Sequence, residues 1–346
     1  MNNILFMSEE SSMGNCAGSK ARNDLELIFN EMDFNKLGKR LQNKEKRTFL
    51  YFLRNYFIAS KVNNQLKKLN NDIILFQYPI SKGVILKDVI QRKSKTNKII
   101  LFIHDIDYLR REGEEGKDEE IAFLNCAHVL ICHNSTMIDK LKADGVKVNN
   151  IINLEIFDYL LNSNCENLPK FGKDIVYAGN LNKGGFIEKL KKNSNNFEFH
   201  LHLYGINYED ENTDKVQFEG SFSPEELVRH LNYSYGLVWD SLVPETCEGF
   251  LGKYTQYNNP HKLSLYMSAG LPVIVWSKSA IAKFVEKYNV GVIVDSLYDI
   301  DNKLNKITEE EYNRFIENVS SIKQNVRCGY YAKRAIQSAI DFCKNN

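Results

Sequence analysis

Long apolar runs are missing from this chain. No stretch of the 346 residues approaches the roughly 20 consecutive apolar positions that span a bilayer, so no transmembrane helix is expected. An excess of charge of one sign is missing too. A formal net charge of +1 gives no electrostatic basis for bulk nucleic-acid binding and leaves an acidic substrate to a local cluster. Cysteine is present but unorganised: Cys16, Cys126, Cys132, Cys165, Cys247, Cys328 and Cys343 are odd in number, and no pair has CxxC spacing. That pattern indicates neither a disulfide framework nor a zinc site, and reduced thiols in a cytoplasm are the natural reading. A Gly-x-Gly-x-x-Gly dinucleotide fingerprint is absent, as is any repeat of solenoid length. Met1-Asn2-Asn3 leads directly into the apolar run Ile4–Met7, so no signal peptide is expected. Lys36 to Arg47 is rich in Lys and Arg and reads as a solvated basic face, with peripheral membrane contact as the other reading.

What is present is alternation. Short apolar runs at Ile4–Met7, Ile73–Gln77, Ile99–His104, Val129–Cys132, Asn150–Leu154, Ile175–Ala178, Phe197–Tyr204, Val216–Phe218, Tyr235–Trp239, Val273–Trp276 and Gly291–Val294 predict strands. Helical stretches separate them, among them Asp24–Met32, Thr48–Leu69, Glu119–Cys126, Ser135–Asp144, Pro224–Leu231, Pro260–Ala269 and Ala280–Tyr288. Strand and helix alternating over the full length means α/β architecture with parallel sheets. The 43% apolar content can build two cores, and the polar stretch Leu161–Lys173, with Pro169 and Gly172, is the predicted linker between them. Parallel sheets hold ligands at the carboxyl ends of their strands, so chemistry is sought there.

Five such strand ends carry suggestive residues. After Ile4–Met7 comes a loop of small residues, including Gly14 and Gly18, then Lys20 and Arg22 before the helix predicted from Asp24. It reads as a place of close backbone approach to a ligand or as a plain packing turn. Ile99–His104 runs into His104, Asp105, Asp107 and Arg110, which suit a general base beside an acceptor or a turn capped by an aspartate. Val176-Tyr177-Ala178-Gly179-Asn180 turns sharply towards Lys183, an anion contact or an ordinary βα turn. Tyr204-Gly205 ends the next C-terminal strand, with Tyr204 either stacking on a base or filling the core. Trp239-Asp240-Ser241 precedes the connection Pro244–Tyr257, which reads as a mobile segment or a loose insertion.

The most informative block is Asn258-Asn259-Pro260-His261-Lys262. Pro260 suits a first helical turn, Asn259 can cap it, and Gly270 can end the helix before Val273-Ile274-Val275. A helix N-terminus carrying His261 and Lys262 is a site for a diphosphate; a capped surface helix with a solvated lysine is the bland alternative.

Tyr257–Tyr266, with Ala269-Gly270-Leu271-Pro272-Val273-Ile274-Val275-Trp276 after it, resembles the C-domain signature of a bacterial glycosyltransferase family. That family includes nucleotide-sugar glucosyltransferases that extend the first GlcNAc on serine-rich repeat adhesins, and proteins described as galactofuranosyltransferases. The resemblance runs over nearly the whole chain and is most specific in this block. It implies the GT-B fold, two Rossmann-like α/β domains facing a central cleft. The acceptor domain is expected over 1–165, the nucleotide-sugar domain over 166–328, and a helix over 329–346 that crosses back. The implied activity is transfer of a sugar, glucose first, from a UDP-sugar to a glycan or glycoprotein acceptor, by a cytoplasmic homotetramer. The alternatives are a galactofuranosyltransferase of cell-surface polysaccharide synthesis and a non-catalytic nucleotide-sugar-binding partner subunit. Donor contacts are then expected from Gly14, Gly18, Gly179, Asn180, Lys183, Tyr204, Asn259, His261 and Lys262. His104 or Asp105 would be the base, with Lys20, Asp107 and Arg110 on the acceptor side. No metal or resident cofactor is expected, because Lys262, Lys183 and the helix dipole at Asn259 would neutralise the leaving UDP, and the net charge of +1 gives no expectation of nucleic acid. One departure stands out. Many retaining GT-B enzymes place two glutamates where this chain has Tyr257 and Leu265, so a retaining outcome is not implied.

Overall fold

A computed structural model describes residues 3–7, 17–37, 49–80, 83–161, 166–208 and 211–346. The chain divides into two compact units. The first comprises Met1–Met13, Ser19–Glu155 and Tyr331–Asn346, the second Gly14–Gly18 and Ile156–Tyr330.

In the first unit the elements run β1 (Ile4–Met7), α1 (Ala17–Glu31), β2 (Asn35–Leu37), α2 (Phe49–Lys68), β3 (Ile73–Tyr78), α3 (Gly83–Lys93), β4 (Lys98–Ile103), α4 (Lys117–Leu124), β5 (Val129–Cys132), α5 (Ser135–Ala143) and β6 (Asn150–Asn153). The second unit continues with β7 (Asp174–Asn180), α6 (Gly185–Lys192), β8 (His200–Ile206), β9 (Val216–Gly220), α7 (Pro224–His230), β10 (Tyr235–Val238), α8 (Gly249–Tyr254), α9 (His261–Ala269), β11 (Val273–Trp276), α10 (Ala282–Tyr288), β12 (Gly291–Val294), α11 (Ile300–Leu304) and α12 (Glu309–Arg327). The last helix, α13 (Tyr330–Asn345), falls almost entirely in the first unit.

Among the described residues each unit holds one six-stranded sheet, with every pairing parallel. The orders are β2-β1-β3-β4-β5-β6 and β12-β11-β10-β7-β8-β9. Strands covered on both faces read as unbroken apolar runs, and β3, β5, β10 and β11 are buried at every position. Helix ends follow side-chain chemistry: Asn134 caps α5 by accepting from Met137 N, and Thr308 and Glu311 form a capping box on α12. No helix among the described residues is long and apolar enough to cross a membrane.

The structure corrects several boundaries. β2 is an additional strand; it is short and half-exposed, so it carries no apolar run to announce it. α1 begins at Ala17 rather than Asp24, which puts Gly18 and Lys20 in a helix instead of a loop. Pro260 (φ −59°, ψ 133°) is extended, and α9 begins at His261, so Pro260 rather than Asn259 is the capping position and no side chain caps it. The predicted linker lies within the second unit. There Asn167 is buried and its side chain donates to the carbonyls of Val228 (2.7 Å) and Ala269 (3.1 Å).

Candidate active site

In the second sheet the chain runs β7 to β8 to β9 outward, then resumes at β10 on the opposite flank of β7. That reversal makes the gap between the carboxyl ends of β7 and β10 the topological switch point, where doubly wound sheets bind ligands. Lys262, in the first turn of α9, reaches this gap. Its Nζ lies 2.6 Å from Asp240 Oδ1, just past β10, and 4.7 Å from the centroid of the Tyr177 ring on β7. Burial alone would lower the Lys262 pKa. The Asp240 charge more than reverses this, so the ammonium titrates above its ordinary range. α9 is seated by Tyr266, whose hydroxyl accepts from Ala178 N (2.9 Å) and whose ring lies where a Gly236 Cβ would go.

A pocket opens beside Lys262. Its wall includes Gly179, Tyr204, Gly205, Phe222, Leu227, His261 and Leu265. Gly179 (φ 150°) and Gly205 (φ 149°) pair across β7 and β8. A Cβ on Gly205 would fall 1.7 Å from the Gly179 carbonyl oxygen, and one on Gly179 would meet Lys262 Cε at 3.2 Å. Two adjacent strand ends therefore need glycine, and they leave bare backbone beside a cation. Apolar and aromatic side chains face them. The Tyr204 hydroxyl bonds Tyr233 (2.8 Å), and the His261 ring stacks on Tyr159 at 5.2 Å and bonds the Asp158 carbonyl (3.3 Å).

Of the residues proposed as donor contacts, the pocket wall holds Gly179, Tyr204, His261 and Lys262, while Asn180 and Asn259 are not among its described residues. Asn180 instead caps the short turn Leu181–Lys183, accepting from Asn182 N and Asn207 Nδ2, both at 3.2 Å. Asn259 is buried. Gly14 and the Lys183 side chain lie outside the described residues. The Pro244–Tyr257 connection is tied down rather than loose. Ser241 Oγ accepts from Val243 N and Glu248 N and donates to the Thr246 carbonyl, while Leu297 N and Ser296 Oγ donate to the Pro244 carbonyl.

In the first unit, His104, Asp105, Asp107 and Arg110 follow β4. Asp105 pairs with Arg110 at 2.8 Å. Glu120 on α4 holds the turn by accepting from Asp107 N (2.9 Å), Tyr108 N (2.7 Å) and the Tyr78 hydroxyl (2.7 Å). Gln77, buried on β3, donates through Nε2 to the Arg22 carbonyl (3.3 Å), which turns its Oε1 towards His104 Nε2 at 2.7 Å. A bond to that oxygen puts the proton of neutral His104 on Nε2 and makes Nδ1 the ring's acceptor. His133, buried at the end of β5, has its pKa pushed down to about 3 by burial and stays neutral. Lys20 is buried in α1 and pairs with Asp24 at 2.7 Å. Among the described residues, no group of three or more His, Cys, Asp or Glu side chains could hold a metal ion.

Comparison with known proteins fits these two units. The family model "Glucosyltransferase 3-like, N-terminal domain" matches residues 4–156, and "Glucosyltransferase 3-like, C-terminal domain" matches 175–339. The chain belongs to the glucosyltransferase 3-like family. It is 35% identical over 282 residues to beta-1,6-galactofuranosyltransferase WbbI of Escherichia coli (strain K12), covering 80% of this chain and 81% of that protein. It is 26% identical over 337 residues to glucosyltransferase 3 of Streptococcus gordonii, covering 92% and 93%. Its fold is shared with sucrose-phosphate synthase from Thermosynechococcus elongatus (12% identity, TM-score 0.65, 99% of both chains). The lipopolysaccharide outer core galactosyltransferase WaaB shares it too (14% identity, TM-score 0.61, 98% of this chain and 99% of that one). This glucosyltransferase 3-like chain is therefore a glycosyltransferase with the GT-B pair of Rossmann-like domains.

Two features of this candidate site do not follow from the residue pattern alone. Asp240 was visible as a strand-end aspartate, but its pairing with Lys262 depends on β10 lying beside β7. The glycine at position 205 repeats the strand-end glycine at 179, a signal that could have been read as a pair.

Proposed function

We propose that the protein transfers a hexosyl group from a UDP-sugar to a glycan or glycoprotein acceptor in the cytoplasm. The observation that carries this reading is the largely buried Lys262 ammonium at the β7–β10 switch point, beside the bare backbone of Gly179 and Gly205. Bare backbone permits close approach of a diphosphate, and a fixed cation stabilises the charge that develops as UDP leaves. The aromatic wall with Tyr204 suits the nucleobase. The acceptor hydroxyl attacks the anomeric carbon, the bond to UDP breaks, and the hydroxyl proton passes to a base in the first unit. His104, through Nδ1, or Asp105 is that base, with Lys20, Asp107 and Arg110 on the acceptor side.

Two donors are in contention. Glucose follows the family resemblance, with O-GlcNAc on a serine-rich repeat adhesin as acceptor and a homotetramer as the assembly. Galactofuranose is favoured by one observation: 35% identity to a galactofuranosyltransferase, against 26% to glucosyltransferase 3 of Streptococcus gordonii. Transfer assays with a panel of UDP-sugars, against GlcNAc-peptide and lipid-linked sugar acceptors, decide between them. Because lysine and backbone stand in for a divalent ion, transfer is expected to survive excess EDTA. Loss on chelation with recovery in Mg²⁺ or Mn²⁺ would sink that account.

Lys262→Ala should weaken UDP binding by about 1.5–3 kcal/mol, the worth of a charge-assisted hydrogen bond, with an unchanged far-UV spectrum. Calorimetry with UDP reads it directly. Wild-type affinity in the variant would remove Lys262 from the site.

A further inference from the structure

Lys262 and Asp240 stand on different elements and meet at the gap between β7 and β10. Asp240 has a fixed origin. Its backbone carbonyl lies 3.0 Å from where a Cβ on Gly252 would sit, and the next residue, Ser241, makes the three loop hydrogen bonds described above. The Lys262 side chain is 15% exposed and the Asp240 side chain 26%. Lysine in such a place gives up its proton readily unless a negative group stays beside it.

We propose that Asp240 is a positioning residue for the donor: it keeps Lys262 charged and aimed at the backbone of Gly179, so that the pocket meets the diphosphate with a preset cation. The proposal rests on the reading of this pocket as the UDP site. Asp240 does not touch the sugar in this scheme; it acts through Lys262. The other groups facing the ammonium are Tyr177 from β7, Tyr266 from α9, and Cys247 from the connection before α8. Burial pushes the Tyr177 and Tyr266 hydroxyls up and the Cys247 thiol up to about 12, so these three stay neutral near pH 7 to 9. That leaves Asp240 as the carboxylate in contact with the ammonium.

The test is calorimetric titration of the full chain with UDP from about pH 7 to about pH 8.5, above the phosphate pKa of about 6 and below the ionisation of the uracil N3–H. Wild-type affinity should be flat across this window, because Lys262 stays protonated throughout. In Asp240→Asn, desolvation is no longer opposed. Affinity should then fall with rising pH, approaching about tenfold per unit once the lowered Lys262 pKa is passed. Asp240→Glu, which keeps a carboxylate, should recover the flat profile. Should Asp240→Asn not fold, Asp240→Ser carries the same expectation, and thermal melts at each pH identify that case. A variant profile parallel to wild type, at whatever absolute affinity, overturns the proposal while leaving the UDP reading standing. Absence of UDP binding in the wild type overturns both.

Discussion

The two units are built from the same parts and gather their functional groups differently. In the first, His104, Asp105, Asp107 and Arg110 follow one strand in one short stretch, and neighbouring elements orient them through Gln77 and Glu120. In the second, β7, β10 and α9 each contribute a group to the switch point, and β8 supplies the facing glycine. A contiguous cluster can be noticed as a motif. An assembled one exists only once the strand order is known. The difference also separates their chemistry. Polar groups on the strand end of the first unit remain about a third exposed, as at Asp105 (33%) and Arg110 (35%), whereas the cation of the second is largely buried. A base must be reachable by the acceptor's proton, whereas a largely buried ammonium held by a carboxylate keeps a fixed charge.

The sharpest way to break this comparison is to disable the first unit's cluster and watch the second. His104→Ala and Asp105→Asn should leave UDP affinity within error by calorimetry. At least one should lower kcat by about 10²–10⁴-fold, the usual worth of a general base. Asp107→Asn is the control. The bonds seen at Asp107 run through its backbone, from its N–H to Glu120 and from Arg110 N to its carbonyl, so the carboxylate is not needed for the turn and this variant should lose less turnover than Asp105→Asn. If UDP affinity falls together with kcat, the division of labour between the units is wrong. If all three variants turn over normally, the base lies elsewhere.

A smaller effect sharpens the comparison from the other side. Gly205→Ala should destabilise the second unit by about 1–3 kcal/mol, because its Cβ would strike the Gly179 carbonyl and separate the ends of β7 and β8. Chemical denaturation measures the loss, and UDP binding should weaken with it. A Gly205→Ala protein with unchanged stability and affinity would mean that the close approach of these strand ends does not shape the pocket.

Much of the architecture is legible in the residues because burial on both faces of a parallel sheet demands uninterrupted apolar runs. β5, β11 and β12 match their predicted runs end to end. β2 escaped because an edge strand with two exposed residues has no such demand on it. The start of α9 shifted by one residue because Pro260 tolerates both the first helical turn and the extended backbone it adopts here. Gly179, Tyr204, His261 and Lys262 are strand-end and helix-start residues of suitable chemistry in the sequence, and the fold brings them to one pocket.

The sequence by itself therefore determined the α/β class, most strand positions and the family, since these follow from local periodicity and a contiguous signature. Only the tertiary structure decided which strand ends are neighbours. The order β12-β11-β10-β7-β8-β9 sets Asp240 against Lys262 and Gly205 against Gly179. A buried charge or a backbone contact takes its meaning from the atom across from it, and that atom lies far away along the chain.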